Sequence, residues 1–506
     1  MIGPEEGRPG RRLPPVRVAA GWVLGPACLL ASLFLPPPAG MEIEAWRVAG
    51  LAALMAVWWV TEVIPIPVTA LLPLVLLPLM AGSSIEAAAS PFANPIIFLF
   101  MGGFMIAKAM ERWGLHRRLA FGIIAAAGTS PLRLVAGFMV AAAFLSMWVS
   151  NTAVAVMMLP IGISVIEVLR GEEEGSPAAQ DRSAFAVALL LAVAYGTSIG
   201  GVATLIGTPP NAILAGFLSE EYGVRIGFAR WLLLGLPLTL ILLPVTWFLL
   251  TRVVFRVDAT GPGLSDAALA GLRSSLGRLR TAERRVAWVF TATALAWMTR
   301  PLAAPWLPEL SDAGIAIGAA VLLFLIPAGG SDRGELLNWE WARRIPWDIL
   351  VLFGGGLSLA SAMTRSGLAE WIGVGLSGAA ALPLLFLLVV VAGAVVFLTE
   401  VTSNTATAAA FVPIVAGLAL VLGEDPFLLA AVAALASSCA FMLPVATPPN
   451  AIVFGSGAIR IQEMARAGFV LNLIVILLVP VIALIAIDLI GIGVELPARV
   501  PTSSAG

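Results

Sequence analysis

Two apolar stretches, 131–169 and 381–422, are each about twice the length of one membrane-spanning helix. Each is interrupted at its centre by the same polar triplet: Ser150-Asn151-Thr152 in the first and Ser403-Asn404-Thr405 in the second. Hydrocarbon offers no partner to the backbone groups that such a break sets free. A break survives there only where it lines a cavity or lies buried in protein. The pair therefore calls for a membrane bundle with a polar chamber inside it.

Composition agrees. The 506 residues are 60% hydrophobic and only 12% charged, against about 25% charged in soluble domains. A surface this apolar belongs in lipid. The net charge of −1 gives no reason to expect a nucleic-acid partner. Cys28 and Cys439 have neither CxxC nor Cys/His spacing, so no disulfide framework or metal site is indicated. The single histidine, His116, lies in a basic stretch and reads as an interfacial side chain. With one histidine and no acidic pair inside the spans, the chain lacks the nucleophile–base pair or metal ligands of a membrane enzyme.

Further apolar runs fall near 18–36, 44–63, 64–81, 92–111, 183–219, 228–251, 285–300, 312–328, 346–364, 425–459 and 467–491. The tail 1–17 is Pro- and Arg-rich, and the run after it lacks a clear cleavage site, so it reads as a first span rather than a signal peptide. If 131–169 and 381–422 are re-entrant hairpins and the other runs alternate, 22 of the 29 Lys and Arg fall on the cytoplasmic side, Arg112, Arg117, Arg118, Arg252, Arg256, Arg343 and Arg344 among them. That satisfies the positive-inside rule. It predicts a multi-pass protein of a bacterial-type inner (plasma) membrane, N-terminus cytoplasmic and C-terminus external.

The chain also repeats itself. At a shift of 253, Leu99-Phe100 falls on Leu352-Phe353, Gly114-Leu115 on Gly367-Leu368, Ser150-Asn151-Thr152-Ala153 on Ser403-Asn404-Thr405-Ala406, and Pro160 on Pro413. Thr208-Pro209-Pro210-Asn211 matches Thr447-Pro448-Pro449-Asn450 at a shift of 239, the difference being absorbed by the acidic loop 171–181. An odd number of crossings separates the copies, so they are inverted. The expected fold is an all-α polytopic membrane protein of two inverted-topology repeats, with about 11 transmembrane helices in total plus two re-entrant helical hairpins. Its parts are a cytoplasmic tail 1–17, a first repeat 18–251 with hairpin 131–169, a cytoplasmic linker 252–284, a second repeat 285–491 with hairpin 381–422, and an external tail 492–506. Inverted repeats with interrupted segments at matching places point to a secondary transporter and to its binding site.

The chemistry lies in the interruptions. Ser, Asn and Thr are favoured N-caps, and proline suits the first turn of a helix. Each break therefore starts a half-helix whose free N–H groups and partial positive charge suit an anion. The half-helices that end there leave carbonyls which, with Ser and Asn oxygens, suit sodium. Gly200, Gly201 and Gly207 let backbone come close to an ion.

These paired triplets, Thr399-Glu400-Val401-Thr402-Ser403-Asn404-Thr405-Ala406 and the two Thr-Pro-Pro-Asn loops resemble the divalent anion:sodium symporter family, the INDY-type dicarboxylate carriers, from Val18 to Ile490. The resemblance implies a homodimer in the lipid bilayer, each protomer with a scaffold and a transport domain, importing C4-dicarboxylates such as succinate, malate and fumarate with Na⁺ by an elevator motion. It implies substrate contacts from Ser150, Asn151, Thr152, Ser403, Asn404 and Thr405, with Thr208, Thr447 and Pro448 nearby. It implies one sodium among Ser146, Ser150, Asn151 and Gly207, and a second among Thr399, Thr402, Asn404 and Ala446. Intact tips favour dicarboxylate over sulfate. A dicarboxylate exchanger and a sulfate or citrate carrier of the same family are the alternatives.

Outside the tips, Glu62 and Glu400 are acids in or near apolar segments, hence functional candidates. Glu400 could instead bond neighbouring backbone N–H groups and fix the second hairpin. Asp348 and Lys108 read as interfacial or scaffold charges.

Overall fold

A computed structural model describes residues 15–170, 179–258, 264–265, 271, 274, 276–330, 332–375 and 382–490. The expected tails 1–17 and 492–506 (but for residues 15–17), most of the acidic loop and much of the linker lie outside the described residues.

The described chain is helical apart from a two-stranded antiparallel ribbon, Pro327–Gly329 with Asp332–Glu335. Eight helices are long and apolar enough to cross a membrane. Six shorter apolar ones include the first limbs of both hairpins. The first hairpin is Pro131–Ser146 and Asn151–Arg170; the second is Leu384–Thr399 and Asn404–Leu422. Both break at the polar triplets. The Thr-Pro-Pro-Asn loops interrupt two further segments, giving Ala179–Val202 followed by Pro209–Glu221 and Pro426–Ser437 followed by Pro448–Phe454. Both second halves begin at the expected proline, each after a threonine in extended backbone, φ −143° at Thr208 and −139° at Thr447.

The repeat is visible in detail. Pro95–Trp113 and Trp347–Arg365 are equivalent, and the chain turns after each at a glycine of left-handed backbone, Gly114 (φ 73°) and Gly367 (φ 75°). From each turn a further helix runs on, Leu115–Ala127 and Leu368–Gly375, neither of which the apolar runs had marked. His116 is half-buried at the start of the first, its Nδ1 3.0 Å from the Met110 carbonyl.

The run 64–81 departs from a simple span. It forms two short helices, Ile66–Thr69 and Leu72–Met80, separated by a turn. Pro65, Pro67 and Pro73 lie at or near the two starts, where a missing N–H costs least. The turn packs against Trp347–Arg365 at Gly355, where an added Cβ would collide with the Ala70 carbonyl.

Ala179–Val202 runs through the centre of the bundle. Its residues 185–202 are buried throughout, as expected of a helix apolar on all sides. It packs on the first hairpin and on Pro448–Phe454 of the other repeat. The first repeat is also tied to the linker at Arg118, whose Nε lies 2.9 Å from Glu283 Oε2 and whose Nη2 donates to the Leu276 carbonyl at 3.0 Å.

Candidate functional site

Four breaks meet in one place. A cavity of about 620 Å³ is lined by Ser150, Asn151 and Thr152 of the first tip, by Ser403, Asn404 and Thr405 of the second, and by Thr208, Thr447 and Pro448 of the loops. All nine residues expected to contact substrate therefore face one space. Among the described residues no Lys, Arg or His lines it. Positive potential comes instead from the helices starting at Asn151, Pro209, Asn404 and Pro448.

Each tip is organised by its asparagine. Ser146 donates its hydroxyl to Asn151 Oδ1, and Thr399 Oγ1 donates to Asn404 Oδ1 at 2.9 Å. Ser146 and Thr399 are equivalent under the repeat, as are the asparagines. Gly207 and Gly201 complete the first cluster: a Cβ built on Gly201 would lie 2.8 Å from Asn151 Oδ1 and 3.1 Å from the Gly207 carbonyl. Hydroxyl, amide and carbonyl oxygens thus converge at the first tip, a hard donor set suited to a small cation. At the second tip Thr399 Oγ1 also lies 3.2 Å from the Ser437 carbonyl, an oxygen that sequence reading did not single out. Thr402 Oγ1 donates to Leu398 O at 2.9 Å and lies 2.7 Å from Thr407 Oγ1. Ser146 and Thr399 are fully buried behind the tips, while Gly207, Thr402 and Ala446 line the cavity.

The expected capping is half present. Ser150 Oγ accepts the Ala153 N–H and Thr447 Oγ1 the Asn450 N–H, both at 3.3 Å. Ser403 and Thr208 make no capping bond.

The asparagines of the Thr-Pro-Pro-Asn loops lace the unwound chain. Asn211 Nδ2 donates to the carbonyls of Gly201 (3.2 Å) and Thr204 (2.8 Å), and Asn450 Nδ2 to those of Ala440 (3.3 Å) and Leu443 (3.1 Å). The acceptors correspond one to one at the shift of 239. Both side chains are fully buried, so carbonyls freed by the break regain a donor.

Each hairpin is tied to its neighbouring loop, but by different chemistry. Thr204 Oγ1 donates to the Met147 carbonyl. At the position equivalent to Met147 stands Glu400, 3% exposed, which accepts from the N–H groups of Phe441 (2.8 Å), Met442 (2.9 Å) and Leu443 (2.9 Å) and from Asn472 Nδ2 (2.6 Å). Glu400 therefore fixes the second hairpin to the loop rather than lining the cavity. Lys108 pairs with Glu111 at 2.6 Å. Asp348 is exposed and lines the cavity, as does Glu62.

The chain matches the family described as the sodium:sulfate symporter transmembrane region over residues 19–491. It is 42% identical over 483 residues to the sodium-dependent dicarboxylate transporter SdcS of Staphylococcus saprophyticus, covering 94% of this chain and 93% of that protein. The SdcS of Staphylococcus aureus strain bovine RF122 is similar at 42% identity over 482 residues, with the same two shares. Among solved structures, the YdaH transporter of Alcanivorax borkumensis aligns with a TM-score of 0.55 at 16% identity, covering 80% of this chain and 88% of that one. That likeness concerns the fold alone.

Proposed function

The chain belongs to the sodium:sulfate symporter transmembrane family, and from that premise we propose that it is a sodium-coupled carrier of C4-dicarboxylates. The observation that carries the reading is the single cavity in which both Ser-Asn-Thr tips and both Thr-Pro-Pro loops meet. Its 42% identical relatives, sodium-dependent dicarboxylate transporters, support the same substrate class. The dianion docks between the two tips, held by hydroxyls, amides and the starts of four helices. One sodium sits with Ser146, Ser150, Asn151 and Gly207, the other with Thr399, Thr402, Asn404 and Ala446. Among the described residues the lining contains no basic side chain, so cations must offset the cost of desolvating two negative charges. Sodium therefore binds first and shapes the tips.

The arginine distribution assigns the ends of helices carrying Glu62 and Asp348 to the cytoplasm, so this state opens inward. The two hairpins, the interrupted segments and Ile461–Ile490 form the moving body in a homodimer, and the remaining helices form the scaffold. Labelled succinate uptake into proteoliposomes tests the reading. Uptake driven by an inward sodium gradient and poorly competed by sulfate is expected. Sodium-independent counterflow would replace symport with exchange, and preference for sulfate would overturn the substrate.

A further inference from the structure

The charged side chains lining the cavity, among the described residues, are two acids, Glu62 and Asp348. Both are exposed and neither belongs to a tip. For a chamber read as an anion site this sign is unexpected, and local structure does not require it. Glu62 follows the last turn of Ile43–Thr61, where the helix macrodipole disfavours a carboxylate. Its backbone is left-handed, φ 50°, at the C-terminal position where glycine is the ordinary choice. Asp348, in the first turn of Trp347–Arg365, suits the dipole, yet its equivalent in the other repeat is Pro95, which starts its helix without an acid. The acid is thus not needed to begin this helix.

We propose that Glu62 and Asp348 form an electrostatic filter at the rim, which favours charge-balanced loads and penalises each further negative charge on the anion. The inference rests on the transport reading above. A negative rim acts on every ligand in proportion to its charge. It concentrates a monovalent cation by some factor, excludes a dianion by the square of that factor and a trianion by the cube. A dianion accompanied by two sodium ions is neutral overall and does not feel the rim. For two carboxylates at the edge of a water-filled mouth, the factor is about two at low salt.

The test is equilibrium binding to the full-length protein in detergent at pH 8, comparing wild type with Glu62→Gln, Asp348→Asn and the double variant. Sodium is titrated alone; succinate and citrate are titrated at saturating sodium. Neutralising both acids should weaken sodium about two-fold, tighten succinate about four-fold and tighten citrate about eight-fold. The differences should collapse in high choline chloride, and Glu62→Asp with Asp348→Glu should keep wild-type behaviour. Normal wild-type binding without this charge scaling, or three affinities moving together, overturns the filter alone. A wild type that binds neither sodium nor succinate overturns the transport reading and the filter with it.

Discussion

Phe100 and Phe353 occupy the same position in the two repeats and touch each other edge-on, ring centroids 5.0 Å apart and planes at 90°. Equivalent residues of two inverted copies meet only near the pseudo-two-fold axis that relates them. Both rings are essentially buried, and Phe100 also lines the cavity. The chamber therefore lies beside that axis, which is why each of its features comes in a pair, one from each copy.

Phe353→Ala removes one ring from this contact without touching the cavity lining. Large-to-small changes at such buried aromatic sites cost about 3–5 kcal/mol. A clearly lowered melting temperature in detergent is expected, with sodium affinity largely retained in the folded fraction. Unchanged thermal stability would mean that the two repeats are not keyed together here.

Asn151→Asp and Asn404→Asp should each abolish uptake. In both tips the amide oxygen already accepts a hydroxyl from behind, Ser146 or Thr399. A fixed carboxylate there repels a dianion by about 4 kcal/mol at close range in a partly buried setting and holds the cation too firmly to release it. Labelled succinate uptake checks this, and near-normal rates in both variants would remove the tips from the site.

Glu400→Gln should destabilise more than any single change at the cavity surface. The amide would set an NH₂ against at least one of the four donors that the carboxylate now satisfies. Leaving a buried donor without its acceptor costs about 1–3 kcal/mol. Thermal unfolding in detergent measures the loss. A variant as stable as wild type would contradict the role of Glu400 as the clasp between hairpin and loop.

How much of this was legible follows from what each residue's partner is. The triplets at 150–152 and 403–405 and the loops at 208 and 447 stand out because polar residues in an apolar run need an explanation, and their duplication supplies one. Glu400 was conspicuous for the same reason, but its partners were not: Asn472 is 72 residues away, and the rest are backbone N–H groups, which carry no side-chain signature. Thr204 passed unnoticed because it bonds the carbonyl of Met147, a residue with nothing polar to show. The broken run 64–81 was readable in principle from Pro65, Pro67 and Pro73, yet its hydropathy matched a span. That Asp348 lines the chamber was hidden because its distance from the tips in sequence conceals that its helix starts there.

The two sodium sites should differ in their tolerance of a single methyl group. In the first repeat Gly201 sits so close to the tip that a Cβ would lie 2.8 Å from Asn151 Oδ1 and 3.1 Å from the Gly207 carbonyl, both oxygens of the proposed first cation set. In the second repeat the equivalent of Gly201 is Ala440, so that copy already accommodates the methyl. Gly201→Ala should raise the sodium concentration for half-maximal uptake by more than about ten-fold, since tenfold corresponds to only about 1.4 kcal/mol and displacing a cation ligand costs at least that. Ala440→Gly should leave the sodium dependence near wild type and lower stability by at most about 1 kcal/mol through backbone entropy. Sodium titrations of succinate uptake separate the two. If Gly201→Ala leaves the sodium requirement unchanged, no cation sits between Asn151 and Gly207, and the first site must be sought elsewhere in the chamber.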